Sequence, residues 1–186
     1  MTIRPAHPAE HAAVRGVVEA AFAGEPGVPA IVEELRATRR MVEELVAVEG
    51  DAVVGQVTLS RGWVDDDQQV VPVVVLGPLA VLPARQGAGI GTRLLAAALD
   101  TMRERGEGYV FLEGAPGYYG ARGFERADRL GFERPSERIP APAFQVAVLD
   151  DLGARGRLVY ADAFWLHGGV GLRGETLTQV RAALGE

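Results

Sequence analysis

Apolar positions along the first forty residues fall at helical spacing. From Pro8 they recur as Ala13, Val14, Val17, Val18, Ala21 and Phe22, with Pro8 suited to a first helical position and Glu10 in the first turn. Gly24-Glu25-Pro26-Gly27 closes that run, and a second helix is predicted from about Pro29 to Arg39 with Ile31, Val32 and Leu35 as its buried stripe. Thr2 to Ala6, ahead of both, reads as a short strand. The period then changes to two. Leu45 to Glu49 predicts a strand, Gly50-Asp51 a tight turn, and Val53 to Val64 a second strand. Within it Val57, Leu59 and Trp63 alternate with Gln56, Thr58 and Ser60, the pattern of a half-buried strand. Asp65-Asp66-Asp67-Gln68-Gln69 reads as a solvated hairpin loop, with no metal chemistry assigned to its aspartates.

Val70 to Val81 is almost uniformly apolar, as expected of a central strand covered on both faces. Gly77-Pro78 interrupts it. Proline has no N–H to give a ladder, so a bulge is expected there, splaying this strand from its neighbour. Leu82-Pro83 leads into the turn Gln86-Gly87-Ala88-Gly89-Ile90-Gly91, and a helix follows with Ile90, Leu94, Leu95, Ala98, Leu99 and Met102 on one face and Arg93, Asp100, Arg103 and Glu104 outside. Tyr109 to Glu113 then returns as a strand, completing a right-handed, parallel β-loop-α-β unit. Pro116 to Phe124 predicts a short helix ending at a glycine, Ala143 to Leu149 a strand, Leu158 to Tyr160 another, and Thr176 to Leu184 a terminal helix with Leu177, Val180 and Leu184 on one side. No internal repeat is visible.

A chain of 186 residues, 48% hydrophobic and 24% charged, fits one globular domain. The net charge of -6 argues against a nucleic-acid or anionic-membrane partner and tolerates a cationic substrate. Cysteine is absent, which excludes disulfides, thiolate metal sites and cysteine nucleophiles. Lysine and asparagine are absent too. No apolar run approaches the ~18 residues of a membrane span and no signal peptide is evident, so a cytoplasmic protein is the expectation. Ser60 and Ser136, the only serines, lack a G-x-S-x-G context, and nothing pairs His7, His11 or His167 with a nucleophile. Trp63 and Trp165 are read as core packing ahead of any pocket role.

Chemistry concentrates in the glycine turn. A glycine-rich turn opening a helix leaves convergent N–H groups unpaired, and the helix dipole adds positive charge to them: an anion cradle. A Walker loop needs lysine after its last glycine, where Gly91 is followed by Thr92-Arg93. The dinucleotide fingerprint would start at Gly87-Ala88-Gly89, with Glu113 resembling its ribose-binding acid, but its third glycine falls one place early. A third pattern, R/Q-x-x-G-x-G/A, is met by Gln86, Gly89 and Gly91. With the preceding Gly77-Pro78-Leu79-Ala80-Val81-Leu82-Pro83 and the later Tyr119-Gly120-Ala121-Arg122-Gly123-Phe124, the chain resembles GNAT-superfamily N-acetyltransferases over roughly Thr2 to Leu149. Pro116-Gly117-Tyr118-Tyr119 and Tyr160-Ala161-Asp162-Ala163-Phe164 are similar to a subgroup of predicted bacterial members with unassigned acceptors.

The resemblance implies an α/β fold of α+β type: a mixed, mostly antiparallel sheet with a central parallel pair splayed at a β-bulge and flanked by helices. It places the acetyltransferase domain at residues 1–166 and leaves 167–186 as a C-terminal extension with a short helix packed on the same domain. It implies acetyl-CoA as donor, no metal, and transfer to a primary amine of a small molecule or peptide by direct attack in a ternary complex. Leu79, Ala80 and Val81 would lend backbone groups to the pantetheine arm. Gln86, Gly87, Ala88, Gly89, Ile90, Gly91 and Thr92 would receive the pyrophosphate, with Arg85 or Arg93 near the remaining phosphate. Tyr119 is the candidate donor to the departing thiolate, while Tyr118 is expected to point elsewhere, into a substrate pocket or into packing. The carboxylate that the family often carries on the strand before the turn is missing here, so the base is open and Glu113 is the candidate. A homodimer through the terminal helix is a further expectation. A non-catalytic acyl-CoA-binding domain and a nicotinamide-dependent oxidoreductase are the alternatives.

Overall fold

The computed structural model of the protein describes residues 1–172, 177–178 and 180–182. Among them run nine strands: β1 (Thr2–Pro5), β2 (Met41–Glu49), β3 (Ala52–Asp65), β4 (Val70–Val81), β5 (Tyr109–Glu113), β6 (Glu125–Arg126), β7 (Phe132–Glu133), β8 (Phe144–Val148) and β9 (Gly156–Val159). The helices are α1 (His11–Ala21), α2 (Gly27–Ala37), α3 (Ile90–Glu104), α4 (Pro116–Gly120) and α5 (Asp162–Leu166). The strands form one sheet in the order β1-β2-β3-β4-β5-β8-β6, with β9 pairing both β3 and β7. Neighbours along the main path are antiparallel except β4 and β5, so the expected mixed sheet with a central parallel pair is the fold observed. β9 takes the edge of β3, at Trp63 to Asp65, beyond the point where β2 has ended against Ser60.

Two layers cover the sheet. On one face α3 packs Ile90, Leu94, Leu95, Ala98, Leu99 and Met102 against Val57, Leu59, Val74, Leu76, Val110 and Leu112. On the other, Val73, Val75, Tyr109 and Phe111 meet Ile31 and Leu35 of α2 together with Phe132, Ile139, Phe144, Tyr160 and Phe164. α1 completes that second layer with Val14, Val17 and Val18 against Val46 and Ala80. Since successive residues of a strand point to opposite faces, β5 sends Tyr109, Phe111 and Glu113 toward α2 and the C-terminal elements. Val110 and Leu112 go toward α3.

Several elements depart from expectation. β3 is buried along nearly its whole length, and Gln56, Thr58 and Ser60 are fully buried, so the half-buried reading is corrected. The first helix opens with a 3-10 turn at Pro8–Glu10, where the His7 side chain accepts from Ala9 N–H and Glu10 accepts from His7 N–H. α2 begins two residues earlier than its apolar stripe implied. Trp165 is 45% exposed and is not a core residue. The hairpin turn expected at Asp65 to Gln69 begins one residue later: Asp65 ends β3 opposite Val70, and in the turn Asp66 Oδ1 accepts from Gln68 N–H at 2.8 Å. Of the predicted terminal helix, residues 177–178 and 180–182 are helical and Val180 is fully buried, whereas Thr176 and Leu184 lie outside the described residues. No helix among the described residues is long and apolar enough to cross a membrane.

Candidate active site

The site is built where β4 and β5 part. Val74 pairs with Val110 and Val75 with Phe111, and there the parallel ladder stops. On its other edge β4 stays with β3, but the register shifts: Val57 lies opposite Leu79 and Leu59 opposite Leu76, so Thr58 faces both Gly77 and Pro78. This is the predicted bulge. It leaves the β5-facing edge of Leu76 to Val81 without a strand partner, and Leu79, Ala80 and Val81 sit along that opening.

A buried polar row on β3 secures the bulge, and nothing in the sequence reading anticipated it. Ser60 Oγ donates to Val75 O at 3.3 Å, Gln56 Nε2 donates to Pro78 O at 3.1 Å, and Thr58 Oγ1 donates to Gln56 Oε1 at 3.0 Å. Buried side-chain amides and hydroxyls are costly unless bonded. Here they bond the carbonyls on either side of the irregularity. The available signal was a period-two polar triplet facing a Gly-Pro break one strand away.

On the α3 face the glycine turn adopts the conformation that its spacing implies. Gly87 and Gly89 have φ of +78° and +77°, and Gly89 is the N-cap of α3. Arg93 N–H donates to Gly89 O at 3.1 Å, so the N–H groups of Ile90, Gly91 and Thr92 precede the helical ladder. The Gln86 side chain turns back, donating from Nε2 to Val81 O at 3.1 Å, and Arg85 is ion-paired to Glu49 at 3.3 Å. Neither arginine flagged by position dominates the turn; Arg122 does. Its Nε donates to Thr92 Oγ1 at 2.9 Å, its NH1 donates to Tyr118 O, and its guanidinium lies 3.8 Å from the centre of the Tyr118 ring. A Cβ on Gly91 would come within 2.7 Å of Tyr118 Oη. Tyr118 therefore stands over the mouth of the turn, its ring packed on Arg122 and edge-on to Tyr119 at 5.0 Å.

Tyr119 lies on the same face, packed at the edge of the α3 cluster. Its ring meets Phe124 edge-on at 5.9 Å and covers Gly114, where a Cβ would fall 2.2 Å from Cε2. Burial pushes its phenol up to about 12, with Tyr118 adding to the rise and Arg122 opposing it. Gly114 is itself fixed, donating to Ala143 O at 3.0 Å and accepting from Gln145 Nε2 at 3.1 Å.

Glu113 ends β5 on the opposite face. Burial raises its carboxyl to about 7, while the Tyr160 hydroxyl, a hydrogen bond from Gly171 N–H at 3.1 Å and the charge of Arg138 pull the other way. The two candidate catalytic residues thus stand on opposite faces of the sheet, either side of Gly114 and next to the gap between β4 and β5. Among the described residues there is no group of three histidine, aspartate or glutamate side chains able to hold a metal ion.

The profile of the acetyltransferase (GNAT) domain matches residues 2–127. The chain belongs to the GNAT acetyltransferase family. Over 104 residues it is 33% identical to the uncharacterized N-acetyltransferase YjhQ of Escherichia coli K12, a match spanning 56% of this chain and 57% of that protein. It is similar in structure to the GNAT-family N-acetyltransferase YhbS of Escherichia coli, solved in complex with CoA, at 27% identity and a TM-score of 0.81, covering 88% of this chain and 91% of that one. A GNAT-family acetyltransferase from Brucella melitensis, solved with acetyl-CoA, shows 32% identity and a TM-score of 0.73, covering 88% and 97%. A sheet antiparallel everywhere along its main path but at one pair removes the doubly wound dinucleotide fold from consideration.

Proposed function

We propose that this acetyltransferase moves the acetyl group of acetyl-CoA to a primary amine of a small molecule or peptide by direct attack in a ternary complex. The observation that carries the reading is the opening between β4 and β5, with an anion cradle on one face of the sheet and a half-buried carboxylate on the other. The structures of similar proteins with CoA and acetyl-CoA support the choice of donor. The pyrophosphate would rest on the N–H groups from Gly87 to Thr92, with Arg122 beside it, and the pantetheine arm along Leu79, Ala80 and Val81. Gly89 is indispensable to that cradle because its φ of +77° lies in the left-handed region. A Cβ there costs about 1–2 kcal/mol. Gly89→Ala is expected to raise the KM for acetyl-CoA about tenfold with kcat largely kept, measured by thiol release against donor concentration.

An alkyl ammonium with pKa near 10.4 needs about 4–5 kcal/mol to shed its proton at pH 7. That first proton goes to solvent; the free amine then attacks the thioester carbonyl and its second N–H proton passes to Glu113, a task to which a carboxylate near 7 is matched. The C–S bond then breaks and the electron pair leaves on sulfur. A phenol near 12 facing a thiol near 8.5 makes full proton transfer uphill by roughly 5 kcal/mol, so Tyr119 stabilises the thiolate by a hydrogen bond and solvent completes the protonation. Tyr119→Phe is accordingly expected to lower kcat by about 10- to 100-fold and to leave acetyl-CoA binding intact. Thiol release from acetyl-CoA across a panel of amines tests the reading as a whole. Saturable CoA binding with no amine raising release above background would reduce the protein to an acyl-CoA-binding domain.

A further inference from the structure

The segment from β9 to the described end of the chain closes over Glu113 in a way the acetyltransferase pattern does not require. Tyr160, the residue after β9, is 4% exposed, its ring lies 5.0 Å from that of Phe164, and its hydroxyl faces Glu113 closely enough for the two groups to shift each other's pKa. Packing alone would be served by phenylalanine; a buried hydroxyl is kept where it has a partner to satisfy it. Gly171 supplies the second donor, its N–H 3.1 Å from Glu113 Oε2 and 3.5 Å from Oε1. A Cβ on Gly171 would fall 2.7 Å from Arg138 Cβ, and its φ of +89° suits glycine alone, so the backbone reaches the carboxylate only because the residue has no side chain.

The path that brings Gly171 there is equally tight. A Cβ on Gly27, at the start of α2, would meet His167 O at 2.3 Å, and a Cβ on Gly169 would meet Ile31 Cδ1 at 2.3 Å. Val170, between Gly169 and Gly171, is fully buried. Residues 167–171 are thus threaded from α2 to the end of β5, with Glu113 at the far end.

We propose that Tyr160 and the Gly171 N–H are positioning groups for Glu113, which makes the C-terminal segment a working part of the site; the proposal rests on the reading of Glu113 as the base. Both donors are neutral. Together they fix the carboxylate plane at the strand end while leaving it a lone pair for the acceptor's proton, and each favours the ionised form. The titratable and charged groups facing Glu113 are Tyr160 and, from the loop between β7 and β8, Arg138.

The test combines rate profiles with a spectroscopic titration of the wild-type protein. In Tyr160→Phe, loss of the donor should move the acidic limb of the kcat/KM profile upward by about one pH unit, with acetyl-CoA binding unchanged. In the wild-type protein the 15N–1H resonance of Gly171 should titrate between about pH 5 and pH 9, with the midpoint of that same limb. Where Glu113→Gln abolishes the limb, an unmoved limb in a folded Tyr160→Phe protein overturns the proposal; in every case a Gly171 amide that stays flat overturns it. Should Tyr160→Phe fail to fold, the Gly171 titration decides alone. Glu113→Gln separates the two readings: if it keeps its acidic limb, Glu113 is not the base, while a titrating Gly171 amide still upholds the clamp.

Discussion

Glu113→Gln is expected to lower kcat by about 10²- to 10⁴-fold and to abolish the acidic limb of the pH profile. Because burial raises the carboxyl to about 7, the group holds its proton below that pH and cannot accept another. Activity should therefore climb with pH through about 7, in step with Glu113 ionisation. The same burial sets the sign of a stability effect. The folded protein keeps this proton up to about pH 7, whereas the unfolded chain has lost it by about 4.5. Stability from this group is whole below about 4.5 and is lost as pH rises through about 7. Removing the charge as Gln removes that loss, so above pH 7 the variant should melt no lower than wild type. Thermal melts at pH 5 and pH 8 beside the rate profiles check both halves. A prop for the fold would lose stability and activity together; a base loses activity alone. A variant within tenfold of wild type would sink the assignment.

The parts of the fold that the sequence made plain are those whose pattern repeats long enough to have a period. α3 with its 15 residues carries an apolar repeat and β4 with its 12 an apolar run long enough to stand for one, and both end where the pattern put them. Strands of two residues, such as β6 and β7, and the five-residue α5 contain no period at all, and they form because the surrounding core accepts Phe132, Ala163 and Phe164. β3 misled for a different reason. Alternation of polar and apolar residues signals one wet face only when the polar side chains have no partners within the protein, and Gln56, Thr58 and Ser60 find theirs in each other and in the broken ladder of β4.

Legibility of the site divides along the same line. The cradle is local, six residues whose glycine spacing dictates backbone shape, and so it could be read directly. The bulge was legible because proline cannot give a ladder hydrogen bond. Tyr118 and Arg122 over the cradle, and Tyr160 and Gly171 around Glu113, are brought in by tertiary path: Arg122 bonds Thr92 across 30 residues and Gly171 bonds Glu113 across 58. Tyr118 and Arg122 are four residues apart, a spacing that itself sets the guanidinium beside the ring; what the sequence does not reveal is that the pair lands on Thr92, which depends on where α4 meets α3.

Phe111→Ala is expected to cost about 3–5 kcal/mol of stability, read by urea denaturation. Phe111 is fully buried, stacked on Phe144 at 5.7 Å and edge-on to Phe132 at 4.9 Å, with Tyr109 at 6.3 Å. Its ring is the meeting point of β5, β7 and β8, so three elements lose contacts at once and none can move in to fill the space without breaking its own pairing. Domains of this kind are stable by only about 5–15 kcal/mol, so the loss is a large fraction of the whole. Phe111 is also the partner of Val75, the last pair before β4 and β5 diverge. The opening that the donor is proposed to enter exists because the ladder is broken above this pair, and it keeps its width because the aromatic cluster holds the ladder below it. Phe111→Leu, which keeps most of the volume, should cost less than about 1.5 kcal/mol and retain turnover at low temperature, whereas the alanine protein should lose affinity for acetyl-CoA before it unfolds. A cost below about 1 kcal/mol for the alanine change would mean that the cavity collapses and that β5 is held from its β8 side alone.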